Sequence, residues 1–134
     1  MKEKRTLLPS HPAQPALERL AELAKLGPNW DSYGAEPISS HAVAVAYQLL
    51  FAIYSQVSVP LRSHIQPFAA PLSDGGIQLE WKGKRATLDV QIAPEGTFGY
   101  LLTEGEAPNQ AYQEEDDVPG PIIISMVADA LRNG

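Results

Sequence analysis

Residues 77–92, IQLEWKGKRATLDVQI, show the clearest structural pattern in the chain, because apolar and polar side chains alternate through both halves. Successive side chains of a β-strand point to opposite faces, so each half predicts a strand with one buried and one open face. The short KGK link between the halves favours a hairpin. A third alternating run, with apolar Phe98, Tyr100 and Leu102, extends the prediction to a three-stranded antiparallel meander.

Two helices are predicted before this meander. Apolar residues recur at helical spacing over residues 15–26, and Gly27 can cap the end of that helix. A second helix is predicted to begin with Ser39 or Ser40 as its cap and to end near Val57. Its apolar stripe is wide, which is typical of a central helix.

Two further elements and one loop complete the prediction. A weak strand is expected around residues 64–72, where Pro67 and Pro71 restrict it to an edge of the sheet. Residues 103–120 carry six acidic residues and no basic one, and they are expected to form a loop. Residues 121–134, PIIISMVADALRNG, predict a C-terminal helix. Its predicted sheet-facing residues are Ile123, Val127, Ala130 and Leu131.

The order of these elements predicts an α+β domain with two N-terminal helices, a three- to four-stranded antiparallel meander and a C-terminal helix packed on one sheet face. Residues 1–12 are expected to form a flexible N-terminal arm, and residues 13–134 a single domain that includes the acidic loop. The apolar strand face, which contains Trp81, should carry the helices. The opposite face presents Gln78, Glu80, Thr87, Asp89 and Gln91.

Composition restricts the class of protein. The 134 residues correspond to one domain, and 44% apolar residues supply a core. The chain has no cysteine, which excludes disulfides, thiolate catalysis and cysteine-based zinc sites. The N-terminus lacks the apolar segment of a signal peptide, and no apolar run is long enough to span a membrane. We therefore expect a cytoplasmic protein of bacterial type that does not enter membranes.

Charge is distributed unevenly along the chain. Residues 1–85 contain nine Lys or Arg and seven Asp or Glu, whereas residues 86–134 contain one Arg and nine Asp or Glu. Binding to nucleic-acid backbones needs clustered Lys and Arg, so this pattern disfavours a nucleic-acid partner and suits a basic protein partner. Charge that only maintains solubility explains the same pattern equally well.

Residues 29–39, NWDSYGAEPIS, place Trp30, Asp31 and Tyr33 in the connection between the two predicted helices. Loops often carry functional residues, so these three form a candidate site loop in which Asp31 would act as a general acid or base. In the structural alternative, Trp30 and Tyr33 bury their rings, Asp31 accepts backbone N–H groups and Gly34 provides a left-handed turn. The structural alternative is favoured, with the loop as a clamp between helices one and two.

Asp74, Glu80 and Lys82 resemble the D…(D/E)xK pattern of a large nuclease superfamily, in which carboxylates bind Mg²⁺ and the Lys assists the attacking water. Asp74 lies only six residues before Glu80, closer than is usual in that superfamily. An exposed pair of opposite charges on the sheet explains Glu80 and Lys82 more simply. The three histidines show no metal-ligand spacing. The sequence therefore predicts no catalytic set, no metal site and no cofactor.

The segments NWDSYGA and GGIQLEW, at residues 29–35 and 75–81, together resemble a group of small, uncharacterised bacterial proteins with the pattern NWDxYGA…GGIxLEW. The resemblance covers roughly residues 20–102 of this chain. It implies a shared fold and no known activity, so it assigns no catalytic residue.

These observations favour a non-enzymatic protein-interaction module of the adaptor, antitoxin or immunity-protein kind. One alternative is a small metal-dependent hydrolase or nuclease-like enzyme that uses Asp31, Glu80 or Asp89. Another alternative is a structural homo-oligomer built through sheet edges or the C-terminal helix. The residues expected to attract and bind a basic partner are Glu104, Glu106, Glu114, Glu115, Asp116 and Asp117.

Overall fold

The computed structural model describes residues 13–56 and 66–133, and the structural statements below concern these two ranges. In chain order, the elements are α1 (Gln14–Leu23), α2 (Ser40–Gln56), β1 (Pro67–Pro71), β2 (Ile77–Lys82), β3 (Ala86–Ile92), β4 (Phe98–Glu104), β5 (Ala111–Val118) and α3 (Gly120–Asn133). The predicted arm at residues 1–12 lies outside the described residues, as do Val57 and His64, where a helix end and a strand start were expected.

The five strands form one antiparallel sheet in the order β1-β2-β3-β4-β5, so each strand pairs with its neighbour along the chain. The predicted α+β class and antiparallel meander are confirmed. Ile77 lies opposite Ile92, and Trp81 lies opposite Leu88, which in turn lies opposite Leu102. Because side chains of directly paired residues share a face, this register collects the apolar side chains on one face of the sheet.

The number of strands differs from the prediction, because the sheet has five where three or four were expected. Residues 103–120 were expected to form a loop, yet they contain β5. Every residue from 111 to 117 is exposed and only Val118 is buried. The sequence of β5 therefore lacks the alternation of apolar and polar residues from which a strand is predicted. Pairing with β4 rather than burial stabilises β5, and that pairing cannot be inferred from the local pattern.

All three helices pack over the apolar face of the sheet. Helix α1 contacts β1, α2 contacts β2 and β3, and α3 contacts β3 and β4. In α3 the predicted core residues Ile123, Val127 and Leu131 are buried, whereas Ala130 is partly exposed and Ala128 is buried in its place. The largest fully buried side chains are Trp81, Leu20, Leu23, Leu50, Ile53, Ile77, Leu79, Leu88, Ile92, Ile123, Leu131 and Val90.

Trp81 lies at the centre of this core and is 1% exposed. Its indole Nε1–H donates to the Tyr54 hydroxyl of α2 at 3.1 Å. A buried indole N–H needs a partner, and this bond supplies one while fixing α2 against β2.

Helix α1 ends at Leu23, earlier than the predicted residue 26. The N–H groups of Lys25 and Leu26 donate to the carbonyls of Glu22 and Leu23, three residues back. The chain therefore tightens into a 3₁₀-type turn before it reaches Gly27, and the helix does not need the glycine as its cap.

The start of α2 agrees with the sequence. The Ser39 hydroxyl accepts the Ala42 N–H at 3.2 Å, as a helix N-cap does. The weak predicted edge strand is present as β1, between Pro67 and Pro71, and it lies at the edge of the sheet as expected.

Candidate functional site

The loop at residues 29–35 is held by its own polar side chains. One oxygen of Asp31, Oδ1, accepts the backbone N–H groups of Tyr33 at 2.8 Å and Ala35 at 3.1 Å. Asn29 Oδ1 accepts the Gly34 N–H at 2.6 Å, and the Asn29 N–H donates to the Ala35 carbonyl at 2.7 Å. The carboxylate of Asp31 thus stabilises the turn, in agreement with the structural alternative proposed from the sequence.

The two aromatic residues of the loop have different environments. The ring of Trp30 is half-buried against the hydrophobic core, and its Nε1–H donates to the Glu36 carbonyl at 2.8 Å. Tyr33 is 92% exposed, so the expectation that it buries its ring is wrong. Its backbone N–H is used by Asp31, which fixes the residue at the tip of the loop with the ring pointing away from the core.

The following residues, 36–39, dock on the turns at one end of the sheet. The Glu36 N–H donates to the Ser73 carbonyl at 2.9 Å, and the Ser39 N–H donates to the Gly75 carbonyl at 2.8 Å. The Ser39 hydroxyl donates to the Pro94 carbonyl at 2.7 Å. The loop therefore joins α2 to the β1–β2 and β3–β4 turns, beyond its predicted role between the helices.

Close contacts with two neighbouring segments explain the paired glycines of the β1–β2 turn: residues 36–39 approach Gly75, and the end of β3 approaches Gly76. Gly75 has a φ of +95°, and a Cβ built there would lie 2.8 Å from the Pro37 carbonyl oxygen. A Cβ on Gly76 would collide with the Ile92 carbonyl oxygen. Residues 36–39, which follow NWDSYGA, thus lie beside the glycine that begins GGIQLEW, and the sequence offered no local signal of that contact.

On the open face of the sheet, Glu80 and Asp89 lie directly opposite each other on β2 and β3. Burial raises the pKa of Asp89, and Glu80 raises it further through its charge and through a side-chain hydrogen bond that favours the protonated form of Asp89. The Asp89 Oδ1 atom is buried and has no hydrogen-bond partner among the described residues. Two like carboxylates held side by side weaken the folded state when both are charged.

Of the three carboxylates considered for hydrolysis, the structure pairs only two. Glu80 and Asp89 are register partners, whereas Asp31 belongs to the loop at residues 29–35 and bonds to that loop's backbone. Asp74, the third member of the nuclease-like pattern, accepts the Gly76 N–H at 2.8 Å within its own turn. Over residues 13–56 and 66–133, no group of three or more His, Asp or Glu residues could hold a metal ion.

Four of the six predicted partner-binding acids lie on β5. Glu114 pairs with Leu101 and Glu115 pairs with Tyr100, so these two acids project from opposite faces of the sheet. A register shift follows, and Asp117 has a φ of 55°, which marks a β-bulge. All four side chains, Glu114, Glu115, Asp116 and Asp117, are exposed.

A shallow depression of about 260 Å³ lies beside the bulge. Asp116 and Asp117 line it together with Asp74 from the β1–β2 turn and Glu95 from the β3–β4 turn. Three separate segments supply these four acids, so sequence reasoning missed the depression. The grouping extends the negative surface of β5 across this end of the sheet.

The remaining two predicted acids lie at the other end of β5. Glu104 is the last residue of β4 and pairs with Ala86, and the N–H of Gly105 donates to the Arg85 carbonyl at 2.9 Å. Glu104 and Glu106 therefore lie next to the basic KGKR turn between β2 and β3. Residues 114–117, in contrast, are four consecutive acids with no basic residue near them in the sequence.

Comparison with protein-family models, with curated proteins and with solved structures finds no match for this chain. The resemblance based on NWDxYGA…GGIxLEW therefore stays a prediction. Within the described part of the chain, no helix combines the length and apolar character needed to cross a membrane.

Proposed function

We propose that this chain is a small cytoplasmic protein-interaction module, of the adaptor, antitoxin or immunity-protein kind, that binds a basic protein partner. Its binding surface would be the hairpin of β4 and β5, with Glu104, Glu106, Glu114, Glu115, Asp116 and Asp117. The observation that carries the proposal is the exposure of seven consecutive residues, 111–117, on an edge strand that holds four acids.

The charge balance of the chain supports this surface. No Lys or Arg lies between Arg85 and Arg132, so β4, β5 and most of α3 have no basic residue to neutralise the acids. Two ion pairs among the described residues, Arg19–Glu22 and Arg132–Asp129, lie in α1 and α3 and do not involve β5. A concentrated field of one sign attracts a partner of opposite sign and raises the association rate.

The enzymatic alternative has less support. A metal-dependent hydrolase using Asp31, Glu80 or Asp89 needs converging ligands, and only Glu80 and Asp89 are adjacent. The homo-oligomer alternative would use exposed apolar surface, and on α3 that surface includes Ile122, which is 50% exposed. One such side chain is ordinary on a protein surface, so it carries little weight.

The test starts with capture of partners by the tagged chain from its source cells at low salt. The affinity of the main captured protein is then measured for the wild type and for two variants that each lose four negative charges. The β5 variant carries Glu114→Gln, Glu115→Gln, Asp116→Asn and Asp117→Asn. The control variant carries Glu18→Gln, Glu22→Gln, Glu36→Gln and Asp129→Asn, at exposed acids outside the sheet.

We expect the β5 variant to bind about tenfold more weakly at low ionic strength, because the steering charges mainly set the association rate. The control variant should bind nearly as tightly as the wild type. The difference should shrink as salt rises, since salt screens exposed charges. Equal affinity of the two variants would contradict the proposed acidic surface.

A further inference from the structure

The two edges of the sheet differ in their access to another strand. At β1, the Nε–H of Arg19 from α1 donates to the Ala69 carbonyl at 3.2 Å, and the strand begins and ends with Pro67 and Pro71. Proline has no N–H to donate to a further strand, and Arg19 already occupies an acceptor. The β1 edge is therefore protected against pairing.

The β5 edge lacks these protections. Its eight residues, AYQEEDDV, contain no proline, and residues 111–117 are exposed. Within the described ranges, β4 is its only strand partner and no backbone hydrogen bond joins its outer edge to another segment. In an antiparallel strand, every second residue directs its N–H and C=O away from the paired neighbour. Among the described residues, the outer edge of β5 thus has unpaired donors and acceptors that match those of an extended chain.

We propose that the outer edge of β5 is the docking site for an extended, basic segment of a partner protein, which adds to the sheet as a sixth strand. This inference rests on the function proposed above and specifies how the partner binds at that surface. Regular pairing would run along residues 111–115, because the bulge at Asp116 and Asp117 interrupts the ladder beyond them.

Charge identifies the chemistry of the incoming segment. Glu114 and Glu115 project from opposite faces of β5, so side chains on both faces of an added strand would lie beside an acid. Directly opposed charges stabilise a strand pair when they differ in sign and destabilise it when they agree. Consecutive Lys or Arg residues therefore fit this edge, with Asp116 and Asp117 adding attraction beyond the bulge.

The same charges disfavour a second copy of this chain as the occupant. Antiparallel pairing of two β5 strands would bring two acidic runs, EEDD at residues 114–117, against each other. Acidic side chains at an exposed edge also keep strands of neighbouring molecules from pairing, and this protective role alone would explain the charges. The experiment must therefore distinguish an edge that only prevents self-pairing from an edge that binds a basic segment.

The probe is a synthetic octapeptide with four central lysines flanked by valine and threonine, titrated into the full chain. A second peptide has the same sequence with every backbone nitrogen of its central residues methylated, so it keeps the charge and loses the hydrogen-bond donors of both edges. A third replaces the lysines with glutamines. Binding is followed by fluorescence anisotropy, and amide hydrogen exchange in β5 is measured with each peptide.

We expect the unmodified lysine peptide to bind at least about tenfold more tightly than the methylated one, because backbone hydrogen bonds supply affinity in strand addition. Exchange of β5 amides should slow only with the unmodified peptide, and the glutamine peptide should bind weakly. The β5 variant with neutral side chains should lose this binding, and the control variant should keep it.

Two other outcomes overturn the inference and identify which proposal failed. Equal binding of the methylated and unmodified lysine peptides, with unchanged β5 exchange, would reject strand addition and leave the acidic surface standing. Equal binding of the lysine and glutamine peptides, or no binding of either, would reject an extended basic segment as the occupant of this edge, while the acidic surface is judged by the affinities of the two charge variants for the captured protein. If those affinities are equal as well, protection from self-pairing would be the role of the β5 acids.

Discussion

Asp31 illustrates how the surroundings of a single side chain decide its chemistry. Its position in a loop between Trp30 and Tyr33 allowed a general acid or base, but its Oδ1 atom accepts two N–H groups of the same loop. Trp30 contributes to the same turn through its ring and its hydrogen bond to the Glu36 carbonyl. Tyr33 is the one member of the candidate loop that remains available to a partner, since it is 92% exposed.

The different burial of Trp30 and Tyr33 predicts different effects on stability. Trp30→Ala should lower the free energy of unfolding by about 2 kcal/mol, because it removes a half-buried ring and a hydrogen bond. Trp30→Phe should cost about 1 kcal/mol, since it keeps a ring and loses the N–H donor. Tyr33→Ala should change stability by less than about 0.5 kcal/mol. Urea denaturation measures all three, and equal losses for the two alanine variants would contradict this assignment.

The pair formed by Glu80 and Asp89 predicts a pH-dependent effect. The raised pKa of Asp89 means that the folded state takes up a proton before the unfolded state does. The contribution of Asp89 to stability is therefore fully present below its ordinary pKa of 3.8, and it is lost as pH rises through the raised value. At neutral pH, Asp89→Asn should stabilise the protein by about 0.5 kcal/mol, as expected for removal of one of two opposed like charges.

The measurement for this pair is urea denaturation of the wild type and Asp89→Asn from neutral pH down to pH 3.8, the ordinary value for this carboxyl. The advantage of the variant should disappear as pH falls. Gln78→Asn is a control on the same face that removes no charge, and its effect should not vary with pH. A constant advantage for Asp89→Asn across the range would show that charge repulsion is not its cause.

Contacts between separate segments explain why the β1–β2 turn contains two consecutive glycines. The β1–β2 turn could use any residues suited to a tight hairpin, but residues 36–39 pack against it through hydrogen bonds to Ser73 and Gly75. Gly76 is closed in from the other side by the end of β3. The two glycines are therefore required by packing between segments as well as by the turn itself.

This packing predicts that Gly76→Ala destabilises the protein strongly. The added methyl group would collide with the Ile92 carbonyl oxygen, and Ile92 is paired on both sides, with Ile77 and Phe98, so its backbone cannot move aside without disturbing the sheet. We expect a loss of more than about 2 kcal/mol, as for other overpacked sites. Gly27→Ala is the matched control, because no atom lies within 4 Å of its added methyl group. Similar thermal unfolding temperatures for the two variants would be inconsistent with the close approach at Gly76.

The sheet of the described residues has two different faces and two different edges. The helices cover one face, and one edge is protected by Arg19 and the prolines of β1. The acidic edge at β5 is the opposite edge of the same sheet. The proposed addition of a basic strand, and the salt dependence of partner binding, both require that the β5 edge is unpaired and carries negative charge.

The sequence alone was sufficient for the elements whose burial follows a simple period. Strands β2 and β3 alternate apolar and polar residues, and β4 repeats Phe98, Tyr100 and Leu102 at every second position. The helices repeat apolar residues at helical spacing, so each pattern reports which side chains leave water. The cap at Ser39 and the buried face containing Trp81 followed from the same local chemistry. The acids of residues 103–120 were also evident, because charge is a property of composition.

Long-range pairing determined the remaining features, and no local pattern encodes it. Strand β5 exists because its backbone pairs with β4, although residues 111–117 bury no side chain. Glu80 and Asp89 are neighbours because of the register of β2 with β3, and residues 29–39 meet Gly75 because the chain folds back on itself. The physical reason is that hydrogen bonds and packing between distant segments set these positions, whereas hydrophobic periodicity reports only which side of an element is buried.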